Sequence, residues 1–294
     1  MTDTFYLGIG APRSGTTWLY HNLRKTSDLY LPPIKELRYF IGQRTEEQKQ
    51  KQAADILDHP QDDARDKAFA QAWRQTKDGD AAAYMRLFPS AGKIGELSPI
   101  YCTMGAKRVE AVKAAIGDRP TKVFMLLRNP FDRDVSHIIF TMHRQRDRKK
   151  PYSAEEYIEF LQNKRFRQRS HYKRTVLIWR AAFGENLHLF YYDDLDADPK
   201  RFFGDFTSQM GLTGAVSDID ESKANQSGHH SRFQIELPPE VLRHLRRRHL
   251  RAVKNMDFLP EARRNAWLET IKAVKPNAKR RQTPDTQSDN NVPA

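Results

Sequence analysis

Apolar residues along this chain fall into two periods. Nearly unbroken apolar runs lie at residues 4–10, 122–127 and 187–191, with a mixed run at 93–97. Runs of that length and continuity read as parallel strands buried on both faces. A shorter run, Leu29-Tyr30-Leu31, reads as one more strand, stopped by Pro32-Pro33. Between the runs, apolar residues recur at three- and four-residue spacing. That spacing predicts helices over 15–26, 106–116, 130–146, 154–162, 170–183, 199–210 and 238–254. Pro130 stands at the first position of its helix, where a missing N–H costs nothing. Strands alternating with helices predict an α/β fold: a central parallel sheet with helical layers on both sides and a ligand crevice beyond the carboxyl ends of the strands. Residues 45–86 are polar, charged and alanine-rich, which predicts surface helices or a mobile insertion near the cleft. One domain is expected over 1–275, followed by a disordered tail over 276–294.

Composition narrows the setting. In 294 residues, 50 Lys and Arg face 37 Asp and Glu, for a formal net charge of +13. Such a surplus favours anionic partners: nucleic acid, a charged nucleotide, an acidic glycan or an anionic membrane face. Much of it sits late, in Arg243-His244-Leu245-Arg246-Arg247-Arg248-His249, which at helical period reads as a solvated face. A single cysteine, Cys102, excludes an internal disulfide and a cysteine-based zinc site, and suits a reducing compartment. No apolar stretch approaches the roughly 20 residues of a membrane span.

The chemistry starts after the first apolar run, at Gly10-Ala11-Pro12-Arg13-Ser14-Gly15-Thr16-Thr17. The glycines stand at the spacing of a Walker phosphate loop, but Thr16 occupies the place of the lysine that reaches β and γ phosphates. Strand, glycine loop and helix together offer backbone N–H groups and a positive helix end to an anion. The missing lysine argues against ATP or GTP. A second segment, Arg128-Asn129-Pro130-Phe131-Asp132-Arg133-Asp134-Val135-Ser136, follows the strand predicted at 122–127. Arg128 offers a fork of donors at the strand end, and Ser136 adds a hydroxyl two turns along.

The two segments, in this order and on these elements, resemble the 5′-phosphosulfate loop and the 3′-phosphate segment of the sulfotransferases that use 3′-phosphoadenosine 5′-phosphosulfate (PAPS). The resemblance runs from about residue 5 to residue 210 and implies a P-loop-like fold. It implies that PAPS is the cofactor, adenosine 3′,5′-bisphosphate the product, and that no metal is required. Arg13, Ser14, Gly15, Thr16, Thr17 and Trp18 would then hold the 5′ side, with Arg13 catalytic as well, and Arg128 and Ser136 the 3′-phosphate. Tyr191-Tyr192-Asp193-Asp194-Leu195 is similar to the family's Y-E-D-L stretch, which makes Tyr192 the adenine contact or simply an aromatic packed at a strand end.

An acceptor hydroxyl or amine must lose a proton, so a carboxylate or histidine is needed within reach. Lys35-Glu36-Leu37-Arg38-Tyr39-Phe40 resembles the K-E-x-x-[FY]-F segment of the carbohydrate (Golgi-like) branch, which nominates Glu36 as the base. The alternative is a surface carboxylate paired with Lys35 or Arg38. The histidine of the cytosolic aryl and steroid branch has no counterpart in Ile94-Gly95-Glu96-Leu97-Ser98-Pro99-Ile100-Tyr101. Ser98, Pro99 and Tyr101 are expected to line the acceptor side. In the late loop, Lys223 and Arg232 are candidates for the 3′-phosphate, or members of a solvated basic loop. His229-His230 lacks a third ligand at useful spacing and is rejected as a metal site.

These readings imply sulfuryl transfer to a hydroxyl or amine of a carbohydrate or glycolipid acceptor, neutral or itself anionic, in a bacterial cytoplasm, with at most peripheral contact with an anionic membrane. Two rivals remain. A P-loop kinase would need Gly-Lys-Thr and an acid for Mg²⁺. A non-catalytic nucleic-acid-binding protein is supported only by charge.

Overall fold

The computed structural model describes residues 3–42, 44–58, 63–77, 79–144, 152–221 and 235–274. Four parallel strands, β1 (Thr4–Gly10), β2 (Lys93–Leu97), β3 (Thr121–Leu127) and β4 (Leu187–Tyr191), form one sheet in the order β2-β1-β3-β4. Every residue of β1 is buried. Its side chains alternate between two cores, as the pleat requires. Phe5, Leu7 and Ile9 join Val123, Met125 and Leu127 on one face. On the other face Tyr6 joins Phe124 and Leu126. Burying each such side chain is worth about 1.5–3 kcal/mol, so the register is fixed from both sides.

The helices cover both faces. Helix α1 (Thr16–Thr26) follows β1 directly and buries Trp18, Leu19 and Leu23 against Phe202, Phe203 and Phe206 of α11 (Pro199–Met210). Residues 45–86 do form helices, namely α2 (Glu46–Leu57), α3 (Ala64–Gln75) and α4 (Ala81–Tyr84). They are more than surface cover, because Ala53, Phe69, Trp73 and Tyr84 belong to the larger core. A half-buried ion pair from Arg24 to Asp66 ties α3 to α1. Helix α5 (Ala106–Ile116) precedes β3, and α6 (Pro130–Ile138) follows it and runs on as a π-helical turn over Ile139–Arg144. Next come α7 (Ala154–Gln162), α8 (Lys164–Gln168), α9 (Tyr172–Phe183) and α10 (Tyr192–Ala197). Helices α12 (Pro239–Lys254) and α13 (Glu261–Ala273) complete the chain's described elements.

Three sequence expectations change. Leu29-Tyr30-Leu31 is not a strand but a single parallel bridge: Tyr30 N–H donates to the Lys93 carbonyl at 2.9 Å and the Tyr30 carbonyl accepts from Gly95 N–H at 3.0 Å. Pro32 and Pro33, which have no N–H, prevent the ladder from continuing. Helix α13 carries too few apolar residues for a periodic signal, yet it buries Trp267 and Ile271. Finally, the Arg243–His249 run is not a purely solvated face. Val241, Leu245, His249 and Val253 form its buried stripe. The predicted tail and the candidates Lys223 and Arg232 lie outside the described residues.

Candidate active site

The loop between β1 and α1 is built for an anion. Gly15 caps α1 in the left-handed conformation (φ 79°), no side chain caps the helix, and its first turn holds no acidic residue. The backbone N–H groups at this end therefore keep their positive field for a ligand. A Cβ on Gly15 would lie 2.5 Å from Leu195 Cδ2 and 3.2 Å from Tyr192 Cδ2, so only glycine fits against α10. Ser14 is fully buried, and its Oγ has no hydrogen-bond partner among the described residues. An orphaned hydroxyl in an uncapped loop fits a bound phosphate or sulfate oxygen. Trp18 contributes differently. Its indole packs on Phe202 and Phe203, and its Nε1 donates to the Asp220 carbonyl at 2.7 Å, so its side chain is committed to the core and only its backbone belongs to the loop.

The second motif converges on the first. Arg13 Nε donates to Ser136 Oγ at 3.2 Å across 123 positions of sequence. The Arg13 guanidinium lies 4.4 Å from the centroid of the Phe140 ring. Arg128 donates to the Arg13 carbonyl at 3.2 Å, and its guanidinium stacks 4.3 Å from the centroid of Tyr192. Arg128 has no carboxylate partner among the described residues, whereas Tyr192 donates to Asp196 at 3.1 Å. Arg13, Ser136, Arg128 and Tyr192 thus form one contiguous wall beside the glycine loop.

Glu36 heads a segment held from below. Its N–H donates to the Leu97 carbonyl at 3.1 Å, and Arg44 donates to its carbonyl at 2.6 Å and to that of Leu37. Its carboxylate accepts from Lys35 Nζ at 3.0 Å and from Arg38 Nε and Nη2 at 3.1 and 2.7 Å. Burial alone would raise its pKa, but Lys35 and Arg38 together outweigh that and hold it below the ordinary glutamate value. Arg13, Glu36 and Arg38 are the three non-glycine residues with positive φ (71°, 63° and 55°) among the described residues. Each conformation costs on the order of 1–3 kcal/mol and persists only where the surroundings enforce it. All three lie in the candidate site.

Ser98, Pro99 and Tyr101, expected to line the acceptor side, are buried. Ser98 and Tyr101 reach the backbone of the Glu36 segment. Ser98 Oγ accepts from Arg38 N–H at 3.0 Å and donates to Glu96 at 2.7 Å. Tyr101 accepts a longer 3.4 Å contact from Phe40 N–H. Burial raises the pKa of Glu96 despite its hydrogen bonds from Tyr84 and Ser98.

The structure adds a cluster that the sequence reading missed. Arg133 and Asp134, both fully buried, pair on α6. Asp134 also accepts from Ser170 Oγ at 2.6 Å and meets His249 Nε2 at 2.8 Å. His137, next to Ser136, has Nδ1 3.1 Å from Arg133 Nη1 and Nε2 2.6 Å from Arg169 Nη1. Burial, then Arg133 and Arg169, push the pKa of His137 down to about 2. The D-x-x-H spacing of Asp134 and His137 was visible, but Arg169 lies 32 positions beyond His137, between α8 and α9, and carried no local signal.

Among the described residues, no group of three or more His, Cys, Asp or Glu is arranged to hold a metal ion, and no helix is long and apolar enough to cross a membrane. A family profile described as "Sulfotransferase family" matches residues 7–215. Among solved structures, a sulfotransferase from Alicyclobacillus acidocaldarius is similar at TM-score 0.53 and 22% identity, covering 92% of this chain and 96% of its own. The sulfotransferase domain from the curacin biosynthetic pathway aligns at TM-score 0.44 and 17% identity, covering 84% and 96% respectively. No curated protein matches.

Proposed function

For this chain, which belongs to the sulfotransferase family, we propose transfer of a sulfuryl group from PAPS to a hydroxyl or amine of a carbohydrate-type acceptor, in a bacterial cytoplasm. The observation that carries the reading is the contact of Arg13 with Ser136, flanked by Arg128. It brings a 5′-anion loop and a second cationic anchor together on one wall, as a nucleotide phosphorylated at both ends of its ribose requires. When bound, PAPS supplies an activated sulfuryl group on a phosphate leaving group. The N–H groups of Ser14 to Thr17 hold the 5′ end, and the Ser14 hydroxyl finds the acceptor it lacks. Arg13, fixed by Ser136 and Phe140, neutralises charge that grows on the leaving phosphate. Arg128 and Ser136 hold the 3′-phosphate, and Tyr192 backs the base side of the site.

Glu36 takes the acceptor proton. Lys35 and Arg38 keep it ionised at neutral pH, so its accepting form is the resident one. Their N–H groups also point the carboxylate rather than leave it to rotate. The Lys-Glu pattern and the absence of a histidine beside Glu96 support the carbohydrate branch over the aryl branch.

The test is transfer from radiolabelled PAPS to a panel of hydroxylated glycans and glycolipids, compared with simple phenols and steroids. Label should move to the glycan class and be lost in Arg13→Ala. Label appearing only on phenols or steroids would overturn the acceptor class, and no release of adenosine 3′,5′-bisphosphate with any acceptor would overturn the activity.

A further inference from the structure

We propose, building on the sulfuryl-transfer reading, that Arg169 recognises the acceptor by binding an oxyanion (carboxylate, phosphate or sulfate ester) carried beside the group that receives the sulfur. Arg169 is half-buried and is not neutralised: it makes no ion pair among the described residues, and its Nε is a buried donor without a partner. Its one side-chain hydrogen bond among the described residues is Nη1 to His137 Nε2 at 2.6 Å.

That contact does not satisfy it. A neutral imidazole has one nitrogen that accepts and one that donates. Yet His137 presents Nδ1 to the Arg133 guanidinium and Nε2 to that of Arg169. Protonation would make matters worse, since both nitrogens would then face cations. Whichever tautomer forms, one guanidinium meets an N–H instead of a lone pair. Arg133 has Asp134 and Ser170 Oγ besides, so it tolerates the tautomer that leaves the Nε2 lone pair to Arg169. The acceptor Arg169 then has is a neutral ring, which does not balance its charge, and its Nε remains without a partner. A cation with no anionic partner and a buried N–H left over is stabilised when an anion joins it.

Location selects the kind of anion. The Glu36 carboxylate and the Arg38 guanidinium are close enough to act electrostatically on Arg169, and Arg13 acts on His137. Arg169 therefore lies within electrostatic reach of the proposed proton acceptor, and its partner His137 follows Ser136, which meets Arg13 of the phosphate loop. The nucleotide's own phosphates already have the loop and Arg128. An oxyanion on the acceptor, gripped by the planar guanidinium fork, would fix which neighbouring hydroxyl faces Glu36.

The experiment follows thermal melting while potassium sulfate or potassium acetate replaces potassium chloride at constant ionic strength. Wild type, Arg169→Gln and Arg169→Lys are compared when saturated with PAPS, saturated with adenosine 3′,5′-bisphosphate, and without nucleotide. PAPS-loaded wild type should show saturable stabilisation by at least one of the two anions, and the stronger one distinguishes a tetrahedral ester from a carboxylate. Arg169→Gln should need at least about tenfold more anion, and Arg169→Lys, which keeps the charge and loses the fork, should fall between. Nucleotide affinity should be alike in all three. An unchanged anion response in Arg169→Gln overturns the proposal. So does a response confined to the adenosine 3′,5′-bisphosphate form, which would mean that Arg169 faces the transferred sulfuryl group. If Arg169→Gln does not fold, Arg169→Lys decides, with wild-type anion affinity the contrary result. Absence of any nucleotide response would strike the PAPS reading instead, and the nucleotide-free comparison of wild type with Arg169→Gln would still judge Arg169.

Discussion

Arg128, on the proposed nucleotide wall, touches a carbonyl oxygen and a tyrosine face, whereas Glu36, on the proposed acceptor side, accepts three N–H bonds from two cations. The first arrangement leaves positive charge for a ligand to neutralise. The second has already neutralised its charge and uses the cations to aim it. The nucleotide side is assembled at strand ends, where loop, helix N-terminus and arginine follow directly from β1 and β3. The acceptor side is an irregular segment, carried by left-handed backbone at Glu36 and Arg38 and braced by Ser98, Tyr101 and Arg44. Binding and proton transfer should therefore separate under mutation.

The largest separation is expected at Glu36. Glu36→Gln keeps size and hydrogen bonding, so adenosine 3′,5′-bisphosphate affinity should hold while single-turnover transfer falls by about two to four powers of ten. Unchanged transfer would return Glu36 to the role of a paired surface carboxylate. Joint loss of binding and transfer would mean that it shapes the pocket only. Arg13→Ala should lower turnover by about two powers of ten or more, while Arg128→Ala should act mainly through the dissociation constant of the nucleotide. Rapid-quench transfer beside equilibrium titration separates the two, and a purely kinetic Arg128 defect would break the division between them.

A smaller effect is expected at Gly15. Gly15→Ala must fit a methyl group against Leu195 at a positive φ, which should cost more than about 1 kcal/mol of stability and weaken nucleotide binding at the same time. Chemical denaturation with and without nucleotide reads both, and a variant as stable as wild type would mean that the loop has room.

The buried cluster gives a pH dependence of definite sign. Unfolded, His137 takes up a proton below about 6.5; folded, it resists until about 2. Between those values the unfolded state binds more protons, so stability falls as pH falls, by about 1.4 kcal/mol per pH unit for each such histidine. Burial lowers the pKa of His249 in the same direction. Arg133 and His249 hold Asp134 far below the usual aspartate value against the effect of burial, which adds a further loss below about pH 4. Denaturant midpoints that stay flat between pH 7 and 5 would contradict the buried neutral histidines.

Much of this was legible in the sequence because it is local. The runs at 93–97, 122–127 and 187–191 became β2, β3 and β4 almost residue for residue, since burial on both faces leaves little choice of pattern. Arg13 and Ser136 could be paired because each sits in a motif tied to a strand end. Leu29-Tyr30-Leu31 failed as a strand because the prolines after it outweigh its apolar character. Helix α13 was missed because two buried residues, Trp267 and Ile271, hold it in place without a repeating stripe. His249 read as part of a solvated basic run until the fold brought Asp134 beneath it. Arg169 carries no motif at all, and its importance is visible only from what it fails to find in space.

The most direct test of the nucleotide wall is a melting comparison of wild type with adenosine 3′,5′-bisphosphate, ATP and 5′-AMP. At about a hundred times its dissociation constant, adenosine 3′,5′-bisphosphate should add about 2.7 kcal/mol of stability, with ATP and 5′-AMP at the same concentration giving much smaller shifts. The difference from 5′-AMP should vanish in Arg128→Ala. Equal stabilisation by ATP, or by 5′-AMP, would show that no 3′-phosphate is recognised and would contradict the assignment of Arg128 and Ser136.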